Sequence, residues 1–276
     1  MKRFGLMIAF VLSGAIATAC QPTATPSASS SPTSSESLTT VSTNQTTTSF
    51  DEELYLFTNP DVKKLIQQGK YKSGLDHYTQ VGQTAKKPNG EEYASFFTGT
   101  NGNDTVQGFG TGKHAHFAGV GFELVDKKGD PLPLRPKSVG QGDMVVLIGT
   151  KEGGNEFLLG SSITSVSPKA EPFYVGKGDA DYVRIQNFDK SKDEVLLAGE
   201  PKQYKLESVD GNLRISTVSG DLVAIIEGVD KLEVGETSKE FGVFVLKLEN
   251  HDEAQTVAIE RFKSNSSRKR KLLLCY

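Results

Sequence analysis

Gly99-Thr100-Asn101-Gly102-Asn103-Asp104-Thr105-Val106-Gln107-Gly108 sets the architecture to expect of this chain. Its glycines admit left-handed backbone, so a tight loop can turn several carbonyl oxygens toward one point. Asp104 adds a carboxylate to that loop. Thr105-Val106-Gln107 then alternates polar and apolar, which predicts a short strand with Val106 on the core side. Turn and strand together form a unit of about ten residues, too small to bury a face unless it stacks on neighbours of the same kind.

Further units of this style follow. Gly140-Gln141-Gly142-Asp143 leads into Val145-Val146-Leu147-Ile148-Gly149. Gly153-Gly154-Asn155-Glu156-Phe157-Leu158-Leu159-Gly160 repeats the design with Asn155 where the others have Asp. Tyr174-Val175-Gly176-Lys177-Gly178-Asp179-Ala180-Asp181-Tyr182 is another. Several turns of one kind, each opening onto an apolar run, predict stacked β-coils. Their spacing is uneven, and residues 113–139 read as an insertion. The first unit resembles the nonapeptide G-G-x-G-x-D-x-U-x of the repeats-in-toxin family, with Thr100 in place of the second glycine. The third resembles that family's last-turn form, G-x-D-x-F-x-L-G. The resemblance implies a parallel β-roll with calcium held between coils. Calcium takes six to eight oxygens in flexible geometry, which carbonyls and one carboxylate per turn can supply. On this reading Asp104, Asp143, Asn155, Asp179, Asp181, Asp189 and Asp193 are the side-chain ligands. Asn101 belongs to the first loop, and Gly99, Gly102, Gly140 and Gly142 shape the loops that present carbonyls.

From residue 183 the pattern changes to strands with a turn every eight to twelve residues or so. Val183-Arg184-Ile185-Gln186 alternates, Val195-Leu196-Leu197 follows a turn bracketed by Asp189 and Asp193, and Asp210-Gly211-Asn212 is a hairpin signal. Asp179-Ala180-Asp181-Tyr182, Ile185-Gln186-Asn187-Phe188, Asp193 and Asp221-Leu222-Val223-Ala224-Ile225-Ile226-Glu227-Gly228-Val229 are similar to the C-terminal cap of the same family. The resemblance spans residues 98–248. The expected architecture is mainly β: a short irregular parallel β-roll over residues 96–248, closed by an all-β C-terminal cap. A stack of coils needs such an end to hide its open edge.

Residues 50–90 predict a small helical segment ahead of the β-domain. Acids in the first turn (Asp51, Glu52, Glu53), Asn59-Pro60-Asp61 as a break and new start, and Gly69 and Gly82 as stops mark three short helices. Tyr55-Leu56, Asn59-Pro60-Asp61-Val62, Gly69, Ser73-Gly74, His77-Tyr78 and Gly82 resemble a helical repeat of bacterial surface proteins. His77 reads as a packed or capping histidine, since one histidine without partners makes no metal site.

Residues 1–19 read as a signal peptide: Lys2 and Arg3 form a positive start, and the apolar run after them is short for a membrane span. Ala17-Thr18-Ala19-Cys20 resembles a lipobox, with Ala17 where leucine is common, which implies lipid attachment at Cys20. Residues 20–49 are Ser, Thr, Pro, Ala and Gln with hardly a large apolar side chain, so they read as a disordered spacer. Residues 249–276 form a polar tail with the basic cluster Arg268-Lys269-Arg270-Lys271.

The formal charge of −3 becomes −5 when Lys2 and Arg3 leave with the leader, so the chain does not suit nucleic acid. Its two cysteines, Cys20 and Cys275, lie outside the β-domain, so no disulfide holds the loops and bound metal is the candidate staple. No H-E-x-x-H, G-x-S-x-G or Walker loop is present. His114 and His116 read as an exposed strand pair. The expectation is a non-enzymatic, calcium-binding structural or binding protein, lipid-anchored at the outer membrane or cell surface. Its partners are the membrane and surface glycans or other proteins. The alternative is calcium-independent adhesion or glycan binding; a hydrolase built around His114 and His116 comes last.

Overall fold

Met144–Ile148 shows why the chain winds: Val145 and Leu147 are buried while Met144 stands in solvent and Val146 and Ile148 are half-buried. A strand this short, apolar on one side, must lie against a second layer. The computed structural model describes residues 49–111, 113–125 and 134–248. The signal peptide, Cys20 with nearly all of the spacer, and the tail fall outside them.

The chain alternates between two sheets. Sheet one receives β1 (Ser95–Thr98), β3 (Ala115–Ala118), β7 (Asn155–Leu158) and β9 (Glu194–Ala198), all parallel neighbours. Sheet two receives β2 (Thr105–Gln107), β6 (Met144–Ile148), β8 (Tyr182–Gln186) and β12 (Leu222–Ile226), again parallel. This is the parallel β-roll. Antiparallel strands close it: β10 (Tyr204–Val209) and β11 (Asn212–Thr217) extend sheet two beyond β12, while β13 (Glu233–Ser238) and β14 (Val243–Lys247) extend sheet one beyond β9. The expected insertion is smaller than residues 113–139. Its first part is β3, a coil strand, and only the hairpin of β4 (Phe122–Leu124) and β5 (Leu134–Pro136) leaves the coil. Gly108, Gly110 and Gly112 precede Ala115-His116-Phe117-Ala118 with no Asp or Asn among them, so the Gly/Asp pattern does not announce it as a strand.

Between the sheets three successive coils each contribute one phenylalanine to a column, and Val195 stands at that level in the fourth. Phe97 stacks on Phe117 with ring centroids 5.1 Å apart, and Phe117 on Phe157 at 5.2 Å. Their spacing follows the distance between hydrogen-bonded strands, ~4.8 Å. Val106, Val145, Leu147, Val183 and Ile185 of sheet two face the column, and all are buried. Strands of three to five residues bury little each, so large rings stacked coil on coil supply the apolar area.

The helical segment covers the first coil. Helix α1 (Glu52–Thr58) is capped by Asp51, whose Oδ1 accepts the Leu54 N–H at 3.0 Å. Helix α2 (Pro60–Gln67) has Pro60 in its first turn. Helix α3 (Gly74–His77) runs on into a π turn, Tyr78–Gly82. The repeat-like residues are its fasteners. Asn59 Nδ2 donates to the carbonyls of Tyr55 (2.7 Å) and Ala94 (2.9 Å), tying helix to roll. Glu52 accepts the N–H groups of Gly74 and Leu75. His77 is buried, its Nδ1 2.8 Å from the Tyr55 hydroxyl, and burial holds its pKa down; it is a packed histidine. A Cβ on Gly82 would lie 2.3 Å from the Tyr55 hydroxyl oxygen, which explains that glycine.

Residues 49–51 also close the edge of β1. Phe50 bridges Phe97, the Asp51 N–H donates to Phe96 O, and the Thr98 N–H donates to Ser49 O. The Phe50 ring packs on Tyr55, Tyr78 and Phe97. Phe50→Ala is expected to cost about 3 kcal/mol, the usual cost of removing a buried ring. A urea titration checks it, and one shared transition for helical and β signals is expected, because cap and roll share this core.

Candidate metal-binding turns

The four parallel strands of sheet two share one feature at their start. Asp104, Asp143, Asp181 and Asp221 each immediately precede a strand: β2, β6, β8 and β12. Those strands are neighbours in that order, so the acids lie at the same end of successive strands; only Asp143 and Asp181 are in register, with Asp221 one residue and Asp104 two residues out of step. Met144 pairs with Tyr182, which sets Asp143 and Asp181 side by side one residue before their strands.

Backbone amides meet these acids. Asp104 Oδ2 accepts the Thr100 N–H at 2.6 Å and the Thr100 hydroxyl at 3.0 Å, closing its own loop. Asp181 Oδ2 accepts the Gly142 N–H of the preceding coil at 3.2 Å. Asp221 accepts the N–H groups of Gly176 and Gly178, again one coil back. Asn103 Oδ1 reaches forward to the Met144 N–H at 2.7 Å. Gly140 shows why glycine is needed in these turns: its φ is +65°, and a Cβ would stand 2.4 Å from the ring of Tyr174.

Asp181 stands apart. It is fully buried, and its Oδ1 has no hydrogen-bond partner. Burial raises its pKa and the charge of Asp221 adds to that, while the backbone N–H groups of Gly142, Lys177 and Asp181 itself oppose both. Tyr174 lies beside the same acids, fully buried with φ +57° and its hydroxyl against the Gly119 backbone. Burial pushes its phenol up, and so do the charges of Asp143 and Asp104. Asp179 is exposed on the 3-10 turn Gly178–Ala180. Gly99, Thr100 and Asn101 line a cleft of about 270 Å³ with Gly121 and Lys137. Lys137 therefore brings a cation to the first loop.

The other predicted residues lie across the roll, in the turns that lead into sheet one. Asp193 is buried and its carboxylate is occupied: Oδ1 accepts the Asn155 N–H (2.8 Å), and Oδ2 accepts Asn155 Nδ2 (3.0 Å) and the Asp189 N–H (2.9 Å). Asn155 Oδ1 in turn accepts the Thr150 N–H and hydroxyl. Burial raises the Asp193 pKa against the Asn155 donors. Asp189 accepts the Ser191 hydroxyl and N–H, which hold its pKa down, and Lys192 Nζ lies 3.2 Å from its Oδ2. The residues expected to gather round calcium thus separate into two sets on opposite sides of the roll. On the sheet-one side donors face the carboxylates; on the sheet-two side one buried oxygen is left over. Among the described residues no three His, Cys, Asp or Glu side chains form a ligand group by themselves, so a cation here needs carbonyl oxygens as well.

His116 differs from expectation. It is buried rather than exposed, stacked on Phe96 with centroids 4.5 Å apart, with Nδ1 3.1 Å from Glu156 Oε2. Burial lowers its pKa to about 3. His114 is half-buried beside it, ring centroids 4.7 Å apart. The reason is register: β3 lies between β1 and β7, so His116 meets Phe96 on one side and Glu156 on the other.

Asp221 and Tyr174 are absent from the ligand set read in the sequence. Ser219-Gly220-Asp221 reads as an ordinary turn, and only strand order puts it beside Asp181. Tyr174 carries no local signal, since its positive φ is imposed by packing. No protein-family model and no curated protein matches this chain. No helix among the described residues is long and apolar enough to cross a membrane.

Asp193→Ala would leave the Asn155 N–H, Asn155 Nδ2 and Asp189 N–H without their acceptor in a buried turn. A loss of about 3 kcal/mol is expected. Chemical denaturation with and without calcium measures it, and the loss should be the same in both.

Proposed function

We propose that this chain is a calcium-binding β-roll module, non-enzymatic, carried to the cell envelope and held there by lipid at Cys20. The observation that carries the metal is Asp181: a fully buried carboxylate, one oxygen unpartnered, next to the carboxylate of Asp221. A buried anion beside another anion needs a counter-charge, and only a proton or a cation can supply it there. Asp181 and Asp221 would hold the ion, with Asp143 beside them and carbonyls of the glycine turns completing an oxygen shell. A bound calcium would offset the repulsion among these acids and lock neighbouring coils together. Ligand that binds only the folded chain stabilises it in proportion to log concentration. Millimolar calcium outside the cell would then favour the folded roll, while low calcium inside would leave the chain looser for export. The leader, the spacer of residues 20–49 and the likeness of the glycine turns to repeats-in-toxin units support this placement.

A second reading is a calcium-independent adhesive or glycan-binding scaffold. It is favoured by the sheet-one turns, whose carboxylates are met by protein donors, and by Lys137 at the first loop.

Thermal melting separates the two readings. At calcium a hundredfold above its dissociation constant, a melting point roughly 5–10 °C above that in EGTA is expected. No shift would reject the metal. Asp181→Asn should remove that gain. In EGTA the variant should equal or exceed the native chain at pH 7, because the amide carries no buried charge. The sign with pH follows from the raised pKa of Asp181. Its contribution is intact below the ordinary carboxylate range and is lost as pH rises through the raised folded value. The native chain in EGTA should therefore fall behind Asp181→Asn as pH rises from 4 to 7.

A further inference from the structure

Four strands form the outer edges of the two sheets, and three of these edges are blunted. β1 is covered by residues 49–51. β2 is three residues long, and its Gln107 N–H is taken by Ser49 Oγ. β13 carries a register shift between Val234 and Thr237, a bulge of the kind that spoils edge pairing. β10 has none of these devices. It is six residues long, runs in unbroken register from Tyr204↔Thr217 to Val209↔Asn212, and ends its sheet among the described residues. Leu206 and Val209 on it are 37% and 38% exposed.

The direction of its free backbone groups follows from the hairpin. Asp210 and Gly211 have φ +52° and +77°, the two left-handed residues of a type I′ turn, whose flanking pair Val209–Asn212 is hydrogen-bonded. At the other end the Val218 N–H donates to Gln203 O. Odd-numbered residues of β10 therefore point their N–H and C=O at β11, and even-numbered ones point them away. The Tyr204 N–H is taken by Pro201 O. What remains for a partner is the Tyr204 carbonyl and both groups of Leu206 and of Ser208.

We infer that β10 is a docking edge for a second copy of this chain, paired antiparallel about a two-fold axis through Leu206. In that register Leu206 bonds Leu206 in both directions, and each Ser208 N–H meets the other copy's Tyr204 carbonyl. Lys205 then lies directly opposite Glu207 of the second copy, twice over. Within its own hairpin Lys205 faces Ser216, so it has no acid across the strand. Sliding the pair by two residues puts Lys205 against Lys205, or Glu207 against Glu207. The charges thus select one register among those the backbone allows. Such an isologous contact closes on itself and stops at two copies. It is small beside a standard interface, so the dimer is a weak one. This inference does not depend on calcium.

Disulfide trapping in the full chain tests it, with Cys20→Ser and Cys275→Ser so that the added thiol stands alone. The two Leu206 Cα atoms would be ~5.5 Å apart, within the reach of a disulfide. Leu206→Cys should give a linked dimer on mild oxidation, and Val209→Cys, which would face Gln203, should not. Adding Lys205→Glu to Leu206→Cys should cut the rate of linkage about tenfold, since two like-charge pairs replace two attractive ones. Adding Glu207→Lys as well should restore it. Glu207 also faces Arg214 in the hairpin, and the melting temperature of each variant monitors that strain. No linkage at Leu206→Cys, equal linkage at Val209→Cys, or a rate indifferent to the charges would overturn the inference. In the last case β10 would be open to any extended strand.

Discussion

A carboxylate reaching back one coil to bind a backbone amide is the contact that lets this stack exist. Parallel strands joined by short crossings leave their turns outside both sheets, where no ladder supplies acceptors for the turn N–H groups. Where such an amide is buried, as at Asn155, leaving it unpaired costs about 1–3 kcal/mol; at the more exposed Gly142, Gly176 and Gly178 the acid takes the place of water. Asp181 takes the Gly142 N–H, Asp221 takes those of Gly176 and Gly178, and Asp193 does the same for Asn155 across the roll. Each bond is charge-assisted, hence stronger than a neutral one, and each joins two coils rather than two residues of one loop. Asp104 instead closes its own loop on Thr100, so contact between coils falls to Asp181 and Asp221 on this side and to Asp193 on the other.

Those turns sit against an interior which has little to spare. Strands of three to five residues cannot bury much aliphatic surface, so Phe97, Phe117 and Phe157 stack through the roll with Phe188 beside them. The same economy explains the two ends. At the first coil, Phe50 and residues 49–51 close both the apolar gap and the hydrogen-bonding edge. At the last coil, β10, β11, β13 and β14 pair antiparallel, which lets hairpins finish each sheet without another crossing. The ends differ in one respect: the first is covered by helices, while the last leaves a straight strand outermost.

Much of this is legible locally. Glycine with Asp or Asn before an apolar run marks β2, β6, β7 and β8, and Asp210-Gly211 marks its hairpin. Asn59, Pro60 and Gly82 mark the helical segment, because caps, turns and left-handed positions are properties of a few adjacent residues. Partnership between coils is not legible in that way. Nothing in Ala115-His116-Phe117-Ala118 says that it lies between Phe96 and Glu156, so β3 reads as insertion and His116 reads as exposed. Nothing in Ser219-Gly220-Asp221 says that Asp221 stands beside Asp181. The ligand set in the sequence mixes two sides of the roll, because a Gly/Asp turn looks the same whichever sheet it leads into. What separates the sides is the supply of donors, and that depends on the neighbouring coil.

The supply of donors also bears on where a cation belongs. Asp193 has three N–H groups on two oxygens, and Asp189 has a lysine within 3.2 Å, so added positive charge there would displace bonds already made. Asp181 is met only by backbone N–H groups, has one oxygen unpartnered and has a second acid for a neighbour. The same structural duty, performed twice in one roll, leaves charge balanced on one side and unbalanced on the other. An unbalanced buried carboxylate carries a cost that an amide would not, and position 155 holds an Asn on the opposite side. Asp at 181, with Asp221 and Asp143 nearby, makes physical sense when the excess charge is answered by something the chain itself does not carry. A divalent ion answers it at every pH at which the carboxylates ionise, whereas a proton answers it only in acid.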